Sequence, residues 1–182
     1  QAPVHSADSS ANLLLNRSFE EGWTAWRVRP DRWVKYGVEA VLDQHHKYSG
    51  SSSLRIEFGG GTDPHYIDVT QVLNVVPNAK FKLSFYTKSE SLVSKSLPVI
   101  GVHPDPGSPY FYSKPLLGTN EWTRREVVFE TSDDQSQLEI RVVRLGDERK
   151  RADERRWYLT SPKTGLIRGS VWFDQFELVR IN

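Results

Sequence analysis

The stretch that most constrains the fold runs Gly169-Ser170-Val171-Trp172-Phe173-Asp174-Gln175-Phe176-Glu177-Leu178-Val179-Arg180-Ile181. It is dense in aromatic and β-branched residues and free of proline, so it predicts a long strand. Side chains alternate faces along a strand, which predicts that Trp172, Asp174, Phe176 and Leu178 share one face. Three of these four leave water readily, and the fourth is a carboxylate. A carboxylate on a buried face needs an arginine, a set of backbone amides or a metal ion. Asp174 therefore needs a partner from elsewhere in the chain.

The same alternation recurs upstream. Val38, Ala40 and Leu42 form one apolar row, and Leu54, Ile56 and Phe58 another. Residues 66–76 read as a strand closed by Pro77-Asn78. Phe81, Leu83, Phe85 and Thr87 alternate with Lys80, Lys82, Ser84, Tyr86 and Lys88. Residues 97–102 are strand-like with Pro98 at a start or an edge. Residues 122–130 and 137–145 add two more, and 12–15 a short apolar one. Gly59-Gly60-Gly61-Thr62-Asp63-Pro64 reads as a flexible loop, and 103–109 as a turn-rich one. The one stretch with any helical period, 147–157, is dominated by charge. About nine short strands separated by turn signals predict an all-β sandwich or barrel, and one-sided alternation favours two packed antiparallel sheets.

Composition narrows the classes. The 182 residues suffice for one sizeable core, with residues 1–11 as a flexible N-terminal segment and 12–182 as a single domain. Aromatics make up 12% against 37% hydrophobic overall, which suits sheets built on rings. Net charge is +1, from 24 basic and 23 acidic residues, so no global field draws in nucleic acid. No run approaches the ~20 apolar residues of a membrane span, so no membrane insertion is expected. With no cysteine there is no disulfide, thiolate metal site or thiol nucleophile. The opening Gln1-Ala2-Pro3-Val4-His5-Ser6 is small and polar. It fits the scar of a cleaved signal peptide or a cut from a longer chain, and an extracellular, periplasmic or cell-surface location is the expectation.

Catalytic patterns are weak. Glu20, Asp68, Glu130 and Glu139 are scattered carboxylates with no spacing that pairs them as a glycosidase requires. No Gly-x-Ser-x-Gly elbow is present. His45 and His46 are adjacent and would face opposite ways on a strand, while His65 and His103 lack a ligand-spaced partner. The run 144–156 holds six basic and four acidic residues and reads as a solvated surface. The chain is therefore expected not to be an enzyme.

Four segments together resemble one family. Asn12-Leu13-Leu14-Leu15-Asn16-Arg17-Ser18-Phe19-Glu20-Glu21-Gly22 with Trp26 is similar to the opening of carbohydrate-binding modules of families four, nine and twenty-two. The likeness continues through Tyr48-Ser49-Gly50-Ser51-Ser52-Ser53-Leu54-Arg55-Ile56. It extends through Gln71-Val72-Leu73-Asn74-Val75-Val76-Pro77 with Lys82-Leu83-Ser84-Phe85-Tyr86, and ends at 171–178. The resemblance implies a galactose-binding-like jelly-roll β-sandwich that binds polysaccharide or oligosaccharide without catalysis, attached to further domains of a larger chain. It also implies a structural calcium (Ca2+) held by Glu20 and Asp174 with oxygens of the turn at Ser51 and Ser52. The segments 91–113 and 145–169 depart from the family pattern.

Sugar recognition needs flat rings for pyranose C–H faces and planar polar groups for hydroxyls. Tyr66, Tyr86 and Arg141 each point away from the apolar row of their strand, and line a concave face if their strands share a sheet. Trp157, in the long insertion, is a second candidate platform. Alternatively, a loop covers Tyr86 and Arg141 pairs with an acid. Trp26 and Trp172 read as core. The competing function is a structural or protein-interaction sandwich with no sugar site.

Overall fold

A computed structural model describes residues 11–29, 37–62, 66–94, 97–104, 110–145 and 166–181. Among them are ten strands and no helix: β1 (Arg27–Val28), β2 (Val38–Asp43), β3 (Ser53–Thr62), β4 (Tyr66–Asn74), β5 (Lys80–Ser94), β6 (Leu97–Pro104), β7 (Phe111–Tyr112), β8 (Gly118–Glu130), β9 (Gln137–Leu145) and β10 (Leu166–Ile181). They form two five-stranded sheets. Sheet A has the order β1-β4-β9-β6-β7 and sheet B the order β2-β3-β10-β5-β8, with every described pairing antiparallel. The sandwich expected from the alternation is the fold.

The apolar rows meet between the sheets. Val69 and Leu73 of β4, Ile100 and Val102 of β6, and Leu138, Ile140 and Val142 of β9 face Leu54, Ile56, Phe81, Leu83, Phe85, Val171 and Phe173 from sheet B. Rings dominate one end: Phe19 lies 5.0 Å from Trp26 and 6.1 Å from Phe176, and Phe85 stacks on Phe176 at 5.2 Å. Such pairs contribute about 0.5–1.5 kcal/mol each beyond the area they bury.

Three expectations are corrected. The first concerns β10: Trp172 and Asp174 do not share a face with Phe176 and Leu178. The register against β5 slips between Asp174 and Glu177, and Gln175 there takes a φ of 51°. This bulge inserts a residue and reverses the alternation. Val171 and Phe173 before it, and Phe176 and Leu178 after it, all enter the core. Trp172 and Asp174 instead lie on the outer face of sheet B, buried under the loop between β2 and β3.

The second correction is at the glycine run. Residues 59–62 are not a loop but the continuation of β3, with Gly59 opposite Arg168 and Thr62 opposite Leu166. Gly59 also donates its amide to the Gly37 carbonyl at 2.7 Å, an approach that a side chain there would crowd. The third is at 12–15, which runs beside β10 without joining a ladder. One backbone bond, from the Leu13 amide to the Leu178 carbonyl (2.9 Å), is extended by the Asn12 side chain: its Nδ2 donates to the Phe176 carbonyl (3.0 Å) and its Oδ1 accepts from the Leu178 amide (2.8 Å). An amide side chain carries the same donor and acceptor as a peptide unit, so it substitutes for a strand residue.

Candidate functional site

The outer face of sheet A carries one row of residues across all five strands. Arg27 on β1 lies opposite Thr70 on β4, Thr70 opposite Arg141 on β9, Arg141 opposite Gly101 on β6, and Gly101 opposite Tyr112 on β7. Neighbouring strands lie ~4.8 Å apart, so the row spans roughly 19 Å. At its β1–β9 end, Glu139 is held between two guanidinium groups. Arg27 Nη2 reaches Glu139 Oε1 at 3.1 Å, and Arg141 Nη2 reaches Oε2 at 2.7 Å. Arg27 also donates from Nε to Thr70 Oγ1 at 3.3 Å. Two positive groups share one negative one, and the planar guanidinium groups present fixed donors along the face.

The other end is built of rings. His103 packs against Tyr110 at 4.3 Å with the rings tilted by 36°, and meets Tyr112 edge-on at 6.0 Å. Gly101 makes this possible, because a Cβ there would sit 2.7 Å from His103 Nε2 and 3.3 Å from Tyr112 Cε1. Val99, Val143 and Tyr112 form a small apolar cluster beside it, separate from the main core. His103 is only 9% exposed, and its Nε2 has no hydrogen-bond partner among the described residues. Burial lowers the imidazole pKa to about 4, with Arg141 adding to the shift and Glu139 opposing it. The ring is therefore neutral at pH 7 and offers an uncommitted nitrogen on a ring-lined floor.

The outer face of sheet B is organised differently. The loop between β2 and β3 folds over it as a strap. His46 packs on Trp172 at 5.1 Å, and Trp172 Nε1 donates to Asp43 Oδ2 at 2.8 Å. Asp43 also accepts from the His45 and His46 amides and the His46 ring. Burial would raise the Asp43 pKa, but these hydrogen bonds outweigh it and hold the group well below the usual carboxylate range. Further along, Asp174 Oδ2 accepts from the Tyr48 and Ser49 amides (2.9 and 3.2 Å) and Oδ1 from the Gln175 amide (2.7 Å). Glu20 grips the same turn from the other side, accepting from the Ser51 amide (3.0 and 3.1 Å), the Ser51 hydroxyl and the Ser52 amide. Burial raises the Asp174 pKa, its three amide donors oppose that, and the nearby Glu20 charge raises it further. Glu20 itself is lowered, chiefly by the Ser51 hydroxyl and amide.

The sequence is matched by a family model. The model for a carbohydrate binding domain covering families four and nine matches residues 11–145. The chain belongs to this carbohydrate-binding domain family. Among solved structures, the xylan-binding domain CBM22-1 of Paenibacillus barcinonensis Xyn10C superposes with a TM-score of 0.63 at 18% identity, covering 97% of this chain and 99% of that one. A family 61 module in complex with β-1,4-galactotriose gives a TM-score of 0.58 at 19% identity, covering 94% and 100%. The tRNA nuclease WapA of Bacillus subtilis strain 168 is 24% identical over 177 residues. That match covers 93% of this chain but spans only 7% of WapA.

The carbohydrate-binding domain separates the residues that the sequence grouped. Arg141 lies on the outer face of sheet A and pairs with the acid Glu139. Tyr66 is placed opposite Val143 in the same sheet. Tyr86 is not with them: it lies on β5 in sheet B, opposite Asp174 and Arg124, under the ring of Tyr48. A concave face shared by Tyr66, Tyr86 and Arg141 is therefore ruled out, because strand alternation fixes a side chain's face but not the sheet it joins. Trp157 lies outside the described residues, as does the 146–165 segment. Glu20, Ser51, Ser52 and Asp174 do converge on one turn, and amide donors hold both acids there. Trp26 is buried in the core, as read. His103, Tyr112 and Arg27 were missed as site residues. The spacing Val99-x-Gly101-x-His103 before Tyr110-x-Tyr112 carried the signal: a side-chain-free position beneath rings on one strand face.

Proposed function

We propose that the chain is a non-catalytic carbohydrate-binding module whose site is the outer face of sheet A. The observation that carries this reading is the row from Arg27 to Tyr112, which places guanidinium donors at one end and the His103–Tyr110–Tyr112 rings at the other. Pyranose rings meet aromatic faces through their C–H bonds, and hydroxyls take the planar donors. The ligand class is a polysaccharide or oligosaccharide lying across the strands. Arg141→Ala and Tyr112→Ala should each weaken binding to the best hit of a glycan array, with melting temperature as the folding control. Unchanged affinity in both folded variants would remove the site from this face.

In this reading the module serves a larger exported or cell-envelope chain, and its match to a small fraction of WapA's length supports attachment to other domains. The module contributes adhesion to glycan, and other parts of such a chain contribute catalysis. We read Glu20 and Asp174 as the acids of a structural calcium site. The two carboxylates grip one turn, and the Glu20 charge is the smallest of the causes that act on the Asp174 pKa, well behind burial. Their oxygens, with oxygens at Ser51 and Ser52, are the hard donors calcium takes. A bound ion would take the place of some of the amide hydrogen bonds that hold the two acids at this turn.

A further inference from the structure

Sheet B carries a second cluster of rings, on the face turned away from sheet A. Tyr48, on the strap between β2 and β3, lies flat on Tyr86 at 3.6 Å with 12° between the rings. Trp122 of β8 stands against Tyr48 at 6.0 Å and 68°. The result is a floor and an upright wall. Tyr48 is 43% exposed, so part of its ring stays open to solvent between Tyr86 and Trp122. The rim of this corner is polar. Lys88 pairs with Glu121 at 2.9 Å, and Arg124, opposite Tyr86 in the ladder, pairs with Glu126 at 2.8 Å and donates to Ser84 Oγ at 3.2 Å.

The corner is held from two directions. The Tyr48 backbone amide is tied to Asp174, and the Tyr48 ring is stacked on Tyr86. A ring fixed before the ligand arrives loses little freedom on binding. A part-exposed ring with a second ring standing against it at 68° is on the scale of a single pyranose, and is far below the ~800 Å² per partner of a stable protein interface. The charged rim supplies donors and acceptors for hydroxyls around an apolar centre, which is the pattern of a sugar site.

We propose that Tyr48 and Trp122 form a second carbohydrate-binding site that takes one pyranose unit of a glycan chain. It rests on the carbohydrate-binding reading of the domain but shares no residue with the face of sheet A. The outer faces of packed sheets point in opposite directions, so one module can hold two glycan chains, or two stretches of one long chain, and gain avidity from doing so.

The test is an NMR titration of the whole chain with xylohexaose and with β-1,4-galactotriose. It follows the Trp122 indole for this corner and the His103 imidazole for sheet A. At least one sugar should shift Trp122 saturably in the wild type and in Arg141→Ala. Tyr48→Ala should weaken that response by about tenfold, the equivalent of one ring contact, while His103 keeps its own response. Trp122→Ala leaves both pins of the turn in place and should abolish the shift of the Tyr48 amide, which guards against misfolding of the first variant. A Trp122 indole unmoved by both sugars, or a shift of undiminished affinity in folded Tyr48→Ala, overturns the second site. Loss of the His103 response alone overturns the sheet A site and leaves this one standing.

Discussion

Acid should unfold this domain through His103 before its carboxylates contribute. The folded-state pKa of His103 is lowered from 6.5 to about 4 because the ring is buried and faces Arg141. A buried neutral imidazole has its stabilising effect in full above the unfolded pKa. That effect is lost as pH falls from about 6.5 toward 4, since the unfolded chain takes up the proton first. Each unit of pKa difference is worth about 1.4 kcal/mol, so the whole shift corresponds to about 3 kcal/mol, of which about 2 is gone by pH 4.5. For a domain of this size that loss lowers the melting temperature by roughly 5–10 °C. Asp174 works in the opposite direction, because a raised carboxylate pKa favours the folded state as acid is added. Asp43, held low, loses its contribution only below the usual carboxylate range. The assay is thermal unfolding from pH 7 to 4.5 on the wild type and His103→Gln, whose side chain cannot titrate. The wild type should lose the additional 5–10 °C and the variant should not. Parallel curves, or a His103 ring resonance titrating near 6.5, would refute the reasoning.

Two further outcomes follow from residues outside that face. Asn12→Ala removes both bonds to β10 and leaves the Leu178 amide without its Asn12 acceptor in a buried setting, so it should lower stability by about 1–3 kcal/mol in chemical denaturation. An effect within error would mean that the two Asn12 side-chain bonds to β10 add nothing net to the sandwich. Chelation should lower the melting temperature of the wild type if calcium binds at Glu20 and Asp174, because an ion bound only to the folded state adds stability by mass action. Asp174→Ala should be insensitive to chelator, and a wild type equally insensitive would remove the ion from the account.

The strands were legible because half-buried sheets impose a period of two, and 137–145 matches β9 residue for residue. What the period could not carry was any local break in it. The bulge at Gln175 reversed the faces of β10, and nothing in Asp174-Gln175-Phe176 marks the inserted residue. The glycine run of β3 was misread because glycine is common in loops, whereas here β10 pairs with it. At the candidate site, Arg141 was placed on the right face from its own strand alone. Its relation to Tyr86 depended on strand order, a long-range property that alternation does not encode. His103 lacks a metal-spaced partner in the sequence, although its partners are a glycine two residues back and a tyrosine on the neighbouring strand β7.

The position of β10 also dictates a timetable. β10 is the last of the described strands and the central strand of sheet B, and β3 and β5 pair with it rather than with each other. During synthesis, β2–β3 and β5–β8 emerge as two separate pairs, each with an open edge on the side where β10 belongs. Open edges of this kind invite pairing with other nascent chains. The domain cannot seal itself until the ribosome has released residues 166–181, which also deliver Phe173, Phe176 and Leu178 to the core. Closure is therefore a late event in which one strand docks between two waiting neighbours, and translation that stops short of Leu166 leaves two aggregation-prone half-sheets in place of a domain with a weakened end.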